Sequence, residues 1–225
     1  MTIGFRVLAR RRKVDAETVR RFRDLPVANV SDAMSRMSAG GARLRPLHAG
    51  GFLAGPALTV KTRPGDNLMV HKALMLAESG DVIVVDGGGD LSNALVGELM
   101  LAYAIQIGVA GIVINGAVRD SAWIRANNFP VFAAGVTHRG PYKDGPGEIN
   151  VPVAIEGMVI EPGDLIIGDD DGFLCVPFDA TGAIYDVAKA KHEAELRTLA
   201  NTRAGRLDPK TWVDEALKRL GCEGV

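Results

Sequence analysis

Two short runs in the middle of the chain are apolar at every position. Val82–Val85 (VIVV) and Ile112–Ile114 (IVI) show neither the alternation of a half-exposed strand nor a helical period. Continuous β-branched runs of this length are what a parallel sheet buries on both faces. Between them lie a glycine-rich loop, Asp86-Gly87-Gly88-Gly89-Asp90, and a helical pattern over Gly97–Ile107 that Gly108 can cap. Strand, loop, helix and strand in that order form a crossover. It sets the two strands parallel, with their carboxyl ends on one edge. A helix over Ser121–Asn127 and an apolar stretch at Pro130–Ala134 extend the pattern by one more unit.

The flanks read differently. Asp15 is placed to cap a helix over Ala16–Asp24 that Pro26 stops. Ser31 or Asn29 is placed to cap a second helix, Asp32–Met37, ended by Gly40-Gly41. The small and apolar residues from Gly50 to Val60 suggest strand, best at Leu58–Thr62, and Asn67–Ala77 carries a third helical face. After residue 147 the segments Glu148–Ile155, Met158–Ile160, Asp164–Gly168 and Gly172–Pro177 read as short strands between Gly and Pro turns. That spacing suggests an antiparallel or mixed layer. A charged, alanine-rich helix follows over residues 180–201. Asp208 is placed to cap a last one, with Pro209 in its first turn and Gly221 at its end. The turns Pro64-Gly65-Asp66 and Pro162-Gly163-Asp164 look alike, without a larger repeat around them.

Composition narrows the class. The chain has 225 residues, 47% hydrophobic and 24% charged, and 26 basic against 27 acidic side chains leave a net charge of −1. That balance marks an ordinary globular protein and gives no footprint for nucleic acid or an anionic membrane. The run Arg10-Arg11-Arg12-Lys13 reads as solvated surface. Cys175 and Cys222 lack paired spacing, so free thiols in a reducing compartment are expected. The start MTIGFRVLARRRK has no apolar core of signal-peptide length. The apolar region Leu99–Val118 is interrupted by Gln106, Gly108, Gly111, Asn115 and Gly116, so it reads as a helix turning into a strand rather than a membrane span. A cytoplasmic protein is the expectation.

Candidate chemistry is sparse. The glycine loop lacks both the G-x-G-x-x-G and the Gly-Lys-Ser/Thr spacing of nucleotide sites. Asp169-Asp170-Asp171-Gly172 lacks calcium-loop spacing and reads as a hairpin turn, and the four histidines have no ligand spacing for zinc. What remains is Arg119–Asp120, at the end of a strand, and the helix start Gly97-Glu98-Leu99-Met100 on the same edge. Open α/β sheets bind ligands at that edge. A helix start offers free N–H groups to a small anion, Arg119 can fork onto the same carboxylate, and Asp120 is a hard oxygen ligand for Mg²⁺ or Mn²⁺. The parts suit chelation of a 2-oxo acid, against the plainer reading of a solvated loop pair.

The stretch Gly97-Glu98-Leu99-Met100, with Gly111–Asp120 (GIVINGAVRD), Asn128–Phe132 and Gly163–Gly172 (GDLIIGDDDG), resembles the RraA-like family over roughly residues 25–180. That family joins the regulator of ribonuclease E activity to class II 4-hydroxy-4-methyl-2-oxoglutarate aldolases. The resemblance implies a three-layer β/β/α swivelling fold over residues 1–180. Residues 181–225 become a helical extension at a subunit interface of a trimer or hexamer. It also implies that Gly97, Glu98, Leu99 and Met100 bind a pyruvate carboxylate through their amides. Arg119 then contacts substrate and enolate, and Asp120 holds the divalent ion. Some members carry an acidic residue three positions after the Asp; here Trp123 stands there. The long tail matches the aldolase branch, where a neighbour's acidic residue can complete the site, which makes Glu193 and Glu195 candidates. His138 and Arg139 are candidates for a distal carboxylate. The expectation is a metal-dependent lyase acting on 4-hydroxy-2-oxo acids with oxaloacetate decarboxylation beside it. The alternative is a non-catalytic regulator that binds a ribonuclease or another protein.

Overall fold

Residues 82–85 alternate between two cores: Val82 and Val84 face one, Ile83 and Val85 the other, and all four are fully buried. The computed structural model describes residues 3–38 and 40–225; residues 1 and 2, at the head of the N-terminal stretch read above, and Ala39 lie outside the described residues. The described chain begins with β1 (Phe5–Val7), α1 (Ala16–Phe22), α2 (Val27–Ala33), β2 (Arg45–Pro46) and the long β3 (Leu53–Thr62). The central stretch runs α3 (Leu68–Leu76), β4 (Val82–Asp86), β5 (Ala94–Val96), α4 (Glu98–Gln106), β6 (Gly111–Val118), α5 (Ser121–Asn127) and β7 (Val131–Val136). Then come β8 (Gly147–Ile149), β9 (Val153–Ile155), β10 (Met158–Ile160), β11 (Leu165–Asp169) and β12 (Gly172–Val176), followed by α6 (Thr181–Arg203) and α7 (Thr211–Arg219).

The main sheet runs β1-β8-β3-β4-β6-β7-β2, with β3, β4, β6 and β7 mutually parallel. β3 serves three partners: Leu53–Pro56 pairs antiparallel with β11, Ala57–Lys61 parallel with β4, and Val60–Thr62 antiparallel with β8. One face of the sheet is covered by α3, α4 and α5. The other is covered by the β11–β12 and β9–β10 hairpins with α1, α2 and the start of α6. That is the expected three-layer β/β/α order. All eight residues of β6 are buried, at about 1.5–3 kcal/mol for each large aliphatic side chain, so this strand is a rigid base for whatever follows Val118.

Several expectations need correction. The second helix is Val27–Ala33, not Asp32–Met37, and neither Ser31 nor Asn29 caps it. Its first N–H, on Val27, is accepted by the Asp169 carboxylate at 3.0 Å, a cap supplied from 142 residues away that no local pattern announces. The stretch 148–155 is two strands, because Asn150 takes a left-handed conformation (φ 57°) between β8 and β9. β1, β2 and β5 are additions, each at most three residues long. Asp208 accepts from Lys210 N in a local turn, and the last helix begins only at Thr211, beyond Pro209. The basic run is partly structural: Arg10 is nearly buried and forks onto the fully buried Asp81 at 2.8 and 3.0 Å. One face of the first half of α6 packs on the core. Ala188 is fully buried, and Tyr185 packs edge-on to Phe22 with Arg21 over its ring. Beyond Glu195 the tail is mostly exposed, Trp212 and Leu220 included.

Candidate active site

β5 explains how two distant segments meet. Its residues Ala94 and Val96 pair with Ala117 and Val118 at the end of β6, and Arg119 N donates to Val96 O at 3.0 Å. The residue after β5 is Gly97, the N-cap of α4; the residues after β6 are Arg119 and Asp120. Gly97 is extended (φ −148°), so its backbone does not demand glycine, but the space does. A Cβ there would lie 2.5 Å from Asp120 Oδ2 and 2.9 Å from both Cγ and Nε of Arg119. Asp120 turns the corner from β6 into α5 in a left-handed conformation (φ 59°, ψ 39°), which an Asp tolerates better than most residues. Strain of this kind collects at ligand sites.

The Asp120 carboxylate rests on the start of α4, where Glu98 N donates to Oδ2 at 2.8 Å. Arg119 Nε lies 3.7 Å from the same oxygen, and both side chains stay partly open to solvent. This refines the expected role of Gly97–Met100 as an amide cradle. Asp120 already takes the Glu98 amide, Met100 N donates to Gly97 O, and Leu99 keeps the N–H that has no acceptor within the helix.

Arg119 and Leu99 form the shared wall of two cavities. The smaller, about 150 Å³, is also lined by Asn67, His71, Met100 and Lys143. Its charged groups are cations. Asn67 is buried there, its Nδ2 donating to Leu95 O at 2.9 Å, while its Oδ1 has no hydrogen-bond partner among the described residues. Burial, with Lys143 nearby, pushes the His71 imidazole below its usual range, so the ring is neutral at pH 7. The larger cavity, about 380 Å³, is lined by Glu98, Asp120, Thr137 and His138, and its two carboxylates make it the anionic side. Among the described residues no cluster of three or more His, Cys, Asp and Glu side chains is arranged to hold a metal. One or two carboxylates nonetheless suit Mg²⁺ or Mn²⁺, which keep most of their waters and need few protein ligands.

The remaining candidates fall on both sides of the line. His138 lines the anionic cavity, whereas Arg139 reaches Tyr142 Oη and lines neither. Glu195 is held in its own chain by Asn29 Nδ2 (2.6 Å) and Lys191 (3.1 Å), and Glu193 is exposed on α6. Trp123 packs partly buried against the helical-face core. Asn67, His71 and Lys143 were not singled out from sequence. Asn67 and His71 are one helical turn apart at the start of α3, a spacing that carries a signal; Lys143, in an irregular loop, carries none.

The sequence profile of the RraA-like family (Aldolase/RraA) matches residues 27–175. The chain belongs to the RraA-like family. A Halalkalibacterium halodurans protein provisionally named a 4-hydroxy-4-methyl-2-oxoglutarate aldolase is 38% identical over 192 residues, spanning 84% of this chain and 91% of that one. Among solved structures, the RNA-processing inhibitor RraA from Thermus thermophilus superposes with a TM-score of 0.63 at 32% identity, covering 68% of this chain and 93% of that one. Streptomyces coelicolor RraAS2, an unusual member of the RNase ES inhibitor RraA family, does so at 0.74 and 28%, covering 81% and 96%. Fold and family are therefore shared between relatives named for an enzyme and relatives named for inhibition of RNA processing. Among the described residues no helix is long and apolar enough to cross a membrane.

Proposed function

We propose that this chain is a divalent-metal-dependent lyase that cleaves 4-hydroxy-2-oxo acids, such as 4-hydroxy-4-methyl-2-oxoglutarate, to pyruvate and a second carbonyl product, and that it also decarboxylates oxaloacetate. The observation that carries this reading is the division of charge across Arg119, with a small cationic cavity on one side and a carboxylate-lined one on the other. A protein that only docks against a partner has no need of two charge-sorted cavities meeting at one arginine.

The cationic side takes the substrate carboxylate. Arg119 meets it with a planar fork, Lys143 adds a second positive charge, and Leu99, at the positive start of α4, lines the same cavity. The same guanidinium is placed to stabilise negative charge as it develops next to the carboxylate, the kind of contact that accelerates a reaction rather than merely holding its substrate. Asn67 Oδ1 and the neutral His71 ring supply hydrogen-bond acceptors in that cavity. On the other side, Asp120, with Glu98 beside it, would hold Mg²⁺ or Mn²⁺, which supplies a Lewis acid when bound.

Leu99 and Val136, on the open side of the site, are 79% and 54% exposed, and Tyr103 follows on the same helix. That apolar rim fits a trimer or hexamer in which a neighbouring copy closes the cavity, and light scattering tests it. The deciding experiment is a coupled assay of pyruvate release from oxaloacetate with and without Mg²⁺. Metal-dependent release supports the lyase; none from the unmodified protein favours the regulator of a ribonuclease or another protein.

A further inference from the structure

The cationic cavity depends on a loop with no regular structure of its own. Residues 139–146 bring Lys143 to the cavity wall; the stretch is tied at its ends, where Ala94 N of β5 donates to Arg139 O and Arg63 N to Pro146 O, and between them by an isolated bridge of Tyr142 with Asp66. An irregular segment facing solvent is mobile unless its backbone groups are satisfied elsewhere. Next to Lys143, two of them converge on one side chain. Asp66 is fully buried, and its Oδ2 accepts from Asp144 N at 2.7 Å and from Gly145 N at 2.9 Å. Its Oδ1 accepts from Leu68 N at 2.9 Å, at the start of α3. Arg63 pairs with the same carboxylate at 3.2 Å and with Asp144 at 3.8 Å. Around it, Asn67 N donates to Tyr142 O and Tyr142 N to Gly65 O, while Asn93 Nδ2 donates to Gly140 O.

We propose that Asp66 is a positioning residue: its carboxylate clasps the backbone on both sides of the cavity, α3 with Asn67 and His71 on one and the Lys143 loop on the other. The two amides that follow Lys143, on Asp144 and Gly145, are fixed by a buried anion, so the lysine is offered to the ligand already in place. A long, rotamer-rich side chain otherwise loses much of its contact energy to ordering. The charge fits the task. A carboxylate can accept all three amides and the guanidinium at once, whereas a neutral amide side chain has one acceptor oxygen and must turn a donor towards N–H groups.

This inference rests on the assignment of the cationic cavity as the carboxylate site. Oxalate, a small dianion, serves as the probe, with its affinity measured by calorimetry in the presence of Mg²⁺. Asp66→Asn should weaken oxalate binding by roughly tenfold, the scale of one charged hydrogen bond lost. In a Lys143→Ala background the same substitution should cost clearly less than in the unmodified protein, because part of its effect runs through the lysine. Amide exchange should quicken at Tyr142–Gly145 while β4 and β6 keep their protection. Should Asp66→Asn fail to fold, Arg63→Gln, which removes the ion pair from the half-exposed side, carries the same prediction in weaker form. Unchanged oxalate affinity despite a loosened loop overturns the proposal, as does full additivity with Lys143→Ala. Failure of oxalate to bind the unmodified protein overturns it together with the carboxylate assignment. Oxalate binding without pyruvate release from oxaloacetate removes the lyase reading and leaves the role of Asp66 standing.

Discussion

Replacing Gly97 with alanine tests the site through a single methyl group. The backbone of Gly97 is extended, so alanine adopts it freely, and any consequence must come from the added carbon. That carbon would lie 2.5 Å from Asp120 Oδ2, where ordinary contact begins at 3.4 Å. The carboxylate must retreat by about 0.9 Å, and Arg119, met at Cγ and Nε at 2.9 Å, must swing its whole stem aside. Moving Asp120 breaks its 2.8 Å bond to the Glu98 amide. Because the pair is partly exposed, that costs about 1 kcal/mol, or roughly 2–4 °C in melting temperature for a chain of this size. Turnover should suffer far more, since misplacing reacting groups by about 1 Å can cost on the order of 10²-fold. The assay is pyruvate release from oxaloacetate beside a thermal melt. A Gly97→Ala protein with undiminished turnover would refute the claim that Arg119 and Asp120 act together at this spot.

Arg119→Lys keeps the charge but loses the fork, and turnover should fall roughly 30- to 1,000-fold, or about 2–4 kcal/mol, with melting unchanged. Asp120→Asn should act similarly, and the loss should be partly recovered at high Mg²⁺. Exhaustive chelation should abolish turnover reversibly without unfolding the protein, because the carboxylates that would hold the ion, Asp120 and Glu98, lie at the open edge of the site and outside both hydrophobic cores; full activity after chelation contradicts the mechanism. Burial pushes both His48 and His71 below their usual range, so protons prefer the unfolded chain, whose histidines titrate near 6.5. Stability should be complete above that value and decline as pH falls towards the folded-state values. Melting curves of His48→Gln and His71→Gln should be flatter over that window.

The crossover units were legible because each depends on a local pattern. Val82–Val85 read as a strand buried on both faces, Gly108 marked the end of α4, and the hairpin at Asp169–Gly172 followed from its turn chemistry. Arg119, Asp120 and the Gly97 helix start were legible for the same reason, each sitting at the end of a recognisable element. What escaped was whatever long-range contact decides. β5 is strand only because the end of β6 accepts it, and α2 starts where Asp169 caps it. Lys143 reaches its cavity through a clasp on Asp66, which lies on another loop. Pro64-Gly65-Asp66 and Pro162-Gly163-Asp164 were noticed as look-alikes, and the structure gives them one task. Asp164 is also buried and accepts from Glu161 N and from the distant Phe178 N.

The cap on α2 has a consequence for the order in which the chain can assemble. A seven-residue helix is too short to hold itself together in water, and this one receives its cap from Asp169 and its outer cover from α6. Both lie in the last third of the chain, and β8, the partner of β1, lies just before it. During synthesis, about 140 further residues must emerge after Val27 before the helix has anything to lean on. β4, α4 and β6 meanwhile have their neighbours close at hand. The central crossover should therefore consolidate first, and the beginning of the polypeptide should be among the last parts to settle.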